Sequence, residues 1–274
     1  MILNSQRTLF AIDLEQYMLF NQPYSPLENT TLNEKFQVLS SIKPAVNTYP
    51  YLNVIVIGIG GLQNITDENS YNFSQHSPLD GALFEHIPFI VRDSNNDLTA
   101  AEKANYRLRT IEVVNNKDYV CYYGKVITPP TIKSTFHTIK TINDTTQNTA
   151  PTLSTLDMTS SEILSPKPKT RSFSYDTING IDYVTKLNKV EFVLNVSEIT
   201  EIKQGCDKLG KTSDIITELG LCTSCDFNNG NYTEAICTQV AFHIGVNFNM
   251  TTSLANNTAI QKSIELGGLE PFIK

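Results

Sequence analysis

The sequence predicts an α+β fold: a mixed, mainly antiparallel sheet with short flanking helices and a long irregular arm. Three observations predict it. Apolar residues, with Thr238 completing the row, occupy the even positions of residues 236–250, an apolar run broken only by Asn53 fills residues 52–59, and short capped helical patterns separate the strand-like stretches. With 274 residues the chain can bury a core in one large domain or two modest ones.

Taken in order, residues 8–20 place Phe10, Leu14, Tyr17 and Met18 at helical spacing, and Pro23 and Pro26 follow as a stop. Thr31 with Glu34 three residues on has the form of a capping box for a second helix carrying Leu32, Phe36 and Leu39 inward. The run from Leu52 to Ile59 fits a strand buried on both faces. The glycines Gly58, Gly60 and Gly61 at its end suit a close backbone approach. A phosphate cradle is disfavoured because a polar loop, not a helix, follows them.

Residues 77–127 hold the densest local signals. Ser77 and Pro78 predict a short helix with Leu79, Leu83 and Phe84 inward, and residues 87–91 a brief strand. Thr99 and Glu102 predict a capped helix of two turns, and residues 107–127 a hairpin turning at 115–118. Residues 132–142 continue as an edge strand, and the Thr, Ser and Pro-rich stretch 143–172 forms the arm. Residues 184–196 return to strand character. Ser197 is the expected cap of a helix carrying Ile199, Ile202 and Cys206 and ending at Gly210, and a last helix is expected over 258–266. The long strand 236–250 is expected to be half-buried, with its odd positions facing water or a partner.

This gives three regions. Residues 1–130 form an N-terminal α+β core with a helix pair, a buried strand and a hairpin. Residues 131–182 form an edge strand and a flexible or partner-ordered arm. Residues 183–274 form a C-terminal α+β part, packed on the same core or making a second small domain.

Composition narrows the function classes. Hydrophobic residues make up 40% and charged residues 18%, with a net charge of -7. That balance argues against a general or sequence-specific nucleic-acid binder, which needs a basic stripe to displace phosphate counterions. No apolar run reaches the roughly eighteen residues that span a bilayer, so no membrane partner is expected. Asp13 and Glu15 inside the first apolar pattern argue against a signal peptide or anchor. Five cysteines leave one unpaired in any scheme, which fits folding in a reducing cytosol.

Two constellations invite chemistry. Cys206, Cys222, Cys225 and Cys237 include one Cys-x-x-Cys and could bind zinc as a stabilised binding module, although buried inert thiols explain them more cheaply. Asp80, Glu85, Asp93 and Asp97 would serve a hydrolase only if a cleft paired two of them. Ion pairs with Arg92, Arg107 and Arg109 at a subunit contact are the preferred use. His76, His86, His137 and His243 show no ligand spacing. No catalytic, cofactor-binding or metal-binding residue is therefore assigned, and no cofactor is expected.

Three runs carry a resemblance. They are Pro44 to Pro50 (PAVNTYP), Phe84 to Arg92 (FEHIPFIVR) and Leu98 to Arg109 (LTAAEKANYRLR), with ELGGLEP at 265–271 similar in flavour. The chain resembles virion structural proteins of large tailed bacteriophages. The resemblance implies a non-enzymatic particle component of the neck, tail or baseplate. Its implied partners are copies of itself in a ring and other neck, tail or baseplate proteins. Its implied location is the virion, reached after folding in the host cytoplasm.

Overall fold

The structure is a computed structural model describing residues 2–20, 22–24, 30–39, 42–45, 48–64, 71–74, 76–127, 135–142, 145–149, 183–211 and 214–271. It is α+β, and the strand registers among the described residues are all antiparallel. The chain divides into two units, residues 1–128 with 193–260, and residues 129–192 with 261–274. The region expected at 183–274 thus contributes to both.

The first unit is built on an eight-stranded sheet. Its strands are β1 (Ile2–Arg7), β2 (Tyr51–Gly58), β5 (His86–Ile87), β6 (Ile90–Asp93), β7 (Tyr106–Val114), β8 (Lys117–Val126), β12 (Ile215–Asn228) and β13 (Thr233–Asn249). The order runs β1-β13-β12-β2-β8, with β7 also on β8. β5 pairs the end of β2, and β6 pairs the start of β8. Two short strands, β3 (Leu62–Asn64) and β4 (Tyr71–Phe73), form a separate pair.

Among the described residues five helices flank these strands: α1 (Leu9–Leu19), α2 (Thr31–Lys35), α3 (Ala100–Lys103), α4 (Val196–Lys208) and α5 (Met250–Ala255). The second unit carries a sheet in the order β10-β9-β11-β14, from β9 (Thr135–Ile142), β10 (Thr145–Thr149), β11 (Tyr183–Leu194) and β14 (Ile260–Pro271).

Local chemistry explains several elements. Thr99 caps α3 through a full capping box with Glu102, although the helix closes after one turn rather than two. Asn195, not Ser197, caps α4, again with a reciprocal partner in Glu198, and Gly210 follows the helix at φ +68 as its left-handed exit. Asn115 and Asn116 both adopt positive φ, which gives the β7–β8 hairpin a turn matching strand twist. Burial of Leu32, Phe36, Val54, Val56, Val91, Leu108, Tyr123 and Val240 forms the core of this unit.

Other expectations are corrected. β13 alternates as expected only at its end, where Asn247 and Asn249 are exposed; its odd positions Cys237, Gln239, Ala241 and His243 are buried. It lies between β1 and β12, and α1, α2 and β7 pack against it. The Ser77 segment is an irregular turn, Leu79 and Phe84 are exposed, and only Leu83 enters the core. The capping box at Thr31 does not form, because Thr30 is the cap residue and donates its hydroxyl to Asn33 Oδ1.

β9 lies between β10 and β11 rather than at an edge. Residues 260–271 are a strand where a helix was expected, since Ile260 and Ile264 satisfy the period of a helix and of a strand alike. Of the expected arm, residues 145–149 are β10, and residues 143–144 and 150–172 lie outside the described residues.

Candidate functional site

The most concentrated polar chemistry lies where β12, β13, the end of β2 and the irregular segment 76–85 meet. Glu218 on β12 is fully buried. Its carboxylate accepts hydrogen bonds from the Gly60 N–H at 2.7 Å and the Phe84 N–H at 2.8 Å, and a longer one from the Glu85 N–H at 3.3 Å. His243 Nε2 approaches it at 2.9 Å. Glycine at 60 and 61 is required by this approach: a Cβ on Gly61 would fall 2.7 Å from Glu218 Cγ and 2.9 Å from the Thr217 carbonyl oxygen. The glycine cluster therefore makes the close backbone approach expected of it, and what it cradles is a carboxylate of its own chain.

A carboxylate that accepts several N–H donors is an acceptor throughout, so the proton on the shared bond belongs to His243 Nε2. The other ring nitrogen, Nδ1, then points away from Glu218. It is buried, makes no hydrogen bond, and lies 3.9 Å from Asp80 Oδ2. Asp80 is held in place by the Ser77 N–H at 2.7 Å. His76 stacks on His243 with ring centroids 3.4 Å apart, and Phe84 lies beside both rings, 5.3 Å from His76 and 5.5 Å from His243. Burial and the neighbouring His243 push His76 down to about 4, with Glu218 and Asp80 opposing, and its Nδ1 is also buried without a partner. Ligand atoms of His76, Asp80 and His243 all lie within 4.8 Å of one another.

The residues singled out from the sequence fare differently. Cys206, Cys222, Cys225 and Cys237 are buried, and they do not gather as a metal-ligand group among the described residues. Cys222 joins the apolar core, whereas Cys225 and Cys237 lie near each other and Tyr24. Burial pushes the Cys206 and Cys237 thiols up to about 11 and the Cys121 and Cys225 thiols up to about 12, which leaves them unreactive as thiolates near neutrality.

Asp80, Glu85, Asp93 and Asp97 do not converge. Asp93 pairs with Lys117 on the surface, and Asp97 takes Lys103, Arg109 and the Tyr122 hydroxyl. The arginines expected at a subunit contact are used within the chain: Arg92 with Glu201, Arg107 with Asp226, and Arg109 with Asp97. His86 is a buried neutral ring whose Nε2 accepts the Leu83 N–H at 3.0 Å, and burial holds it well below the usual imidazole range. His137 lies on β9. Glu218 carried no signal in the sequence beyond an acidic residue in an apolar stretch, and that misplacement was the only available clue.

These features define an antiparallel α+β protein with a buried histidine–carboxylate cluster set between its central strands. The chain belongs to a family of unknown function, DUF7208, whose model matches residues 3–274. No curated protein and no solved structure matches it.

Proposed function

We propose that this chain is a non-enzymatic structural component of a tailed bacteriophage virion, assembling in several copies in the neck, tail or baseplate and joining neighbouring virion proteins. The sequence runs at 44–50, 84–92 and 98–109 motivate the class of particle. The observation that carries the assembly is α1. Its inner face buries Ala11 and Leu14, while Leu9, Ile12, Met18, Leu19 and Phe20 stand exposed, Leu19 at 71%. A helix apolar on both faces is matched to burial on both faces. Leu9, Ile12 and Leu19 recur on one stripe, and the occupant we assign to it is a second copy of the chain. Val113 and Ile111 on the outer strand β7 add a second uncovered apolar pair, exposed at 65% and 55%.

The experiment has two arms. Mass spectrometry of purified particles should find the chain, and its absence from the virion overturns the proposal. Light scattering of the purified chain should give an oligomer that the double variant Ile12→Asp/Leu19→Asp converts to monomer with the melting midpoint unchanged. An oligomer of native size in that variant removes α1 from the interface.

A further inference from the structure

We infer that His76, Asp80 and His243 form a binding site for a divalent first-row transition-metal ion, with Glu218 orienting His243 from outside the coordination sphere. The donor set is two imidazoles and one carboxylate, which suits zinc-class ions and not calcium or magnesium. The inference is independent of the virion reading, because a particle component and a protein of any other class could use the site equally.

Four observations point to a cation. His243 is completely buried, yet its Nδ1 has no hydrogen-bond partner, and the same holds for Nδ1 of His76, which is 5% exposed. Buried ring nitrogens left unsatisfied are costly, and a metal bond satisfies them. Asp80 Oδ2 at 3.9 Å from His243 Nδ1 is too distant for a hydrogen bond. It is within the roughly 4.2 Å that one metal–nitrogen and one metal–oxygen bond can bridge. Glu218 and Asp80 place two carboxylates beside the histidines, and among the described residues no lysine or arginine pairs with either. A divalent ion supplies the missing positive charge. Finally, the Glu218–His243 bond fixes the tautomer that leaves Nδ1 free for a ligand, the arrangement by which a carboxylate supports a metal-binding histidine.

The stacked rings set the one movement required. Their planes are 22° apart and their centroids 3.4 Å apart, so the ring-nitrogen lone pairs lie in two nearly parallel planes instead of one shared plane. His243 is held by a central strand and by Glu218, so His76, on the irregular segment, is the ring that swings out to complete the site. The ion then ties that segment to β13, and its remaining positions are left to water.

Titration of the full-length, chelator-treated chain with Co²⁺ and Zn²⁺ tests this. The expected result is uptake of about one equivalent, a cobalt spectrum without a thiolate charge-transfer band, and a higher melting midpoint with Zn²⁺. His76→Ala and Asp80→Asn should each weaken binding at least about 10-fold, and Glu218→Gln by about 10- to 100-fold. Asp80→Asn keeps the side-chain shape, so it remains informative if another variant misfolds. Failure to take up an equivalent, a thiolate band from the cysteines, or native affinity in both His76→Ala and Asp80→Asn overturns the site.

Discussion

Glu218 and Glu234 stand on adjacent long strands, both buried, both held by backbone N–H groups, and yet they serve different ends. Glu234 on β13 accepts the Leu108 N–H at 2.7 Å, the Arg109 N–H at 3.1 Å and the Ala235 N–H at 2.8 Å. Leu108 drops out of the β7–β8 register at φ +55, and its freed N–H would be an unsatisfied donor without the carboxylate. Burial pushes the Glu234 carboxyl up, and the three N–H groups with the Arg107 charge pull it back. Every acceptor is committed to the backbone, so Glu234 is a closed device that satisfies the strand around a left-handed residue. Glu218 spends one of its bonds on an imidazole whose far side is unsatisfied. The same chemistry of a buried carboxylate becomes structural when its partners end the network and functional when one partner passes it on.

The comparison breaks most visibly by neutralising each carboxylate. Glu234→Gln should cost about 3 kcal/mol in urea unfolding, since an amide brings N–H donors against backbone donors. Its affinity for Co²⁺ should stay within about twofold of native, whereas Glu218→Gln changes both readouts. Equal loss of metal affinity in both variants would erase the distinction drawn between them.

Next in size is Gly61→Ala. The added methyl meets Glu218 Cγ and the backbone oxygen of Thr217, and backbone has little freedom to retreat, so a loss of about 2 kcal/mol is expected. Gly230→Ala, at φ +92 with open space around it, should cost about 1 kcal/mol from backbone strain alone. A smaller cost at Gly61 than at Gly230 would mean that the Glu218 cradle is loosely packed.

A pH profile sharpens the contrast with a third carboxylate. Burial raises Asp97, but hydrogen bonds from Lys103, Tyr122, Arg109 and the Leu98 N–H outweigh it and hold the group at about 2. Its folded value lies below the ordinary one, so its stabilisation is present above about pH 4 and is lost as the pH falls toward 2. After solvent screening the effect is about 1 kcal/mol, and Asp97→Asn should flatten that part of the acid profile. An unchanged acid limb in Asp97→Asn would count against the four-donor arrangement. The smallest effect is expected at the exposed Asp93–Lys117 pair, where Asp93→Asn should leave the melting midpoint unmoved.

Much of the local structure was legible. The capping box at Thr99 and Glu102, the hairpin at Asn115 and Asn116, and the glycine exit of α4 are each written within a few residues, and each formed. The exposed–buried assignment of β13 was not legible, because small and polar residues at odd positions look solvent-facing whether or not another layer covers them. The candidate site was less legible still. His76 and His243 show no ligand spacing along the chain, and Glu218 sits in an apolar stretch where its partners cannot be inferred.

By itself, the sequence determined the α+β class, the caps, the turns and the existence of a long strand near the C-terminus, because periodicity and side-chain-to-backbone bonds act over one or two turns of chain. Only the tertiary structure decided that β13 lies between β1 and β12, that Arg92, Arg107 and Arg109 are consumed inside the chain, and that two distant histidines stack beside Asp80. Those outcomes depend on which strands become neighbours. That choice is settled by the joint burial of many side chains and is carried by no single stretch of residues.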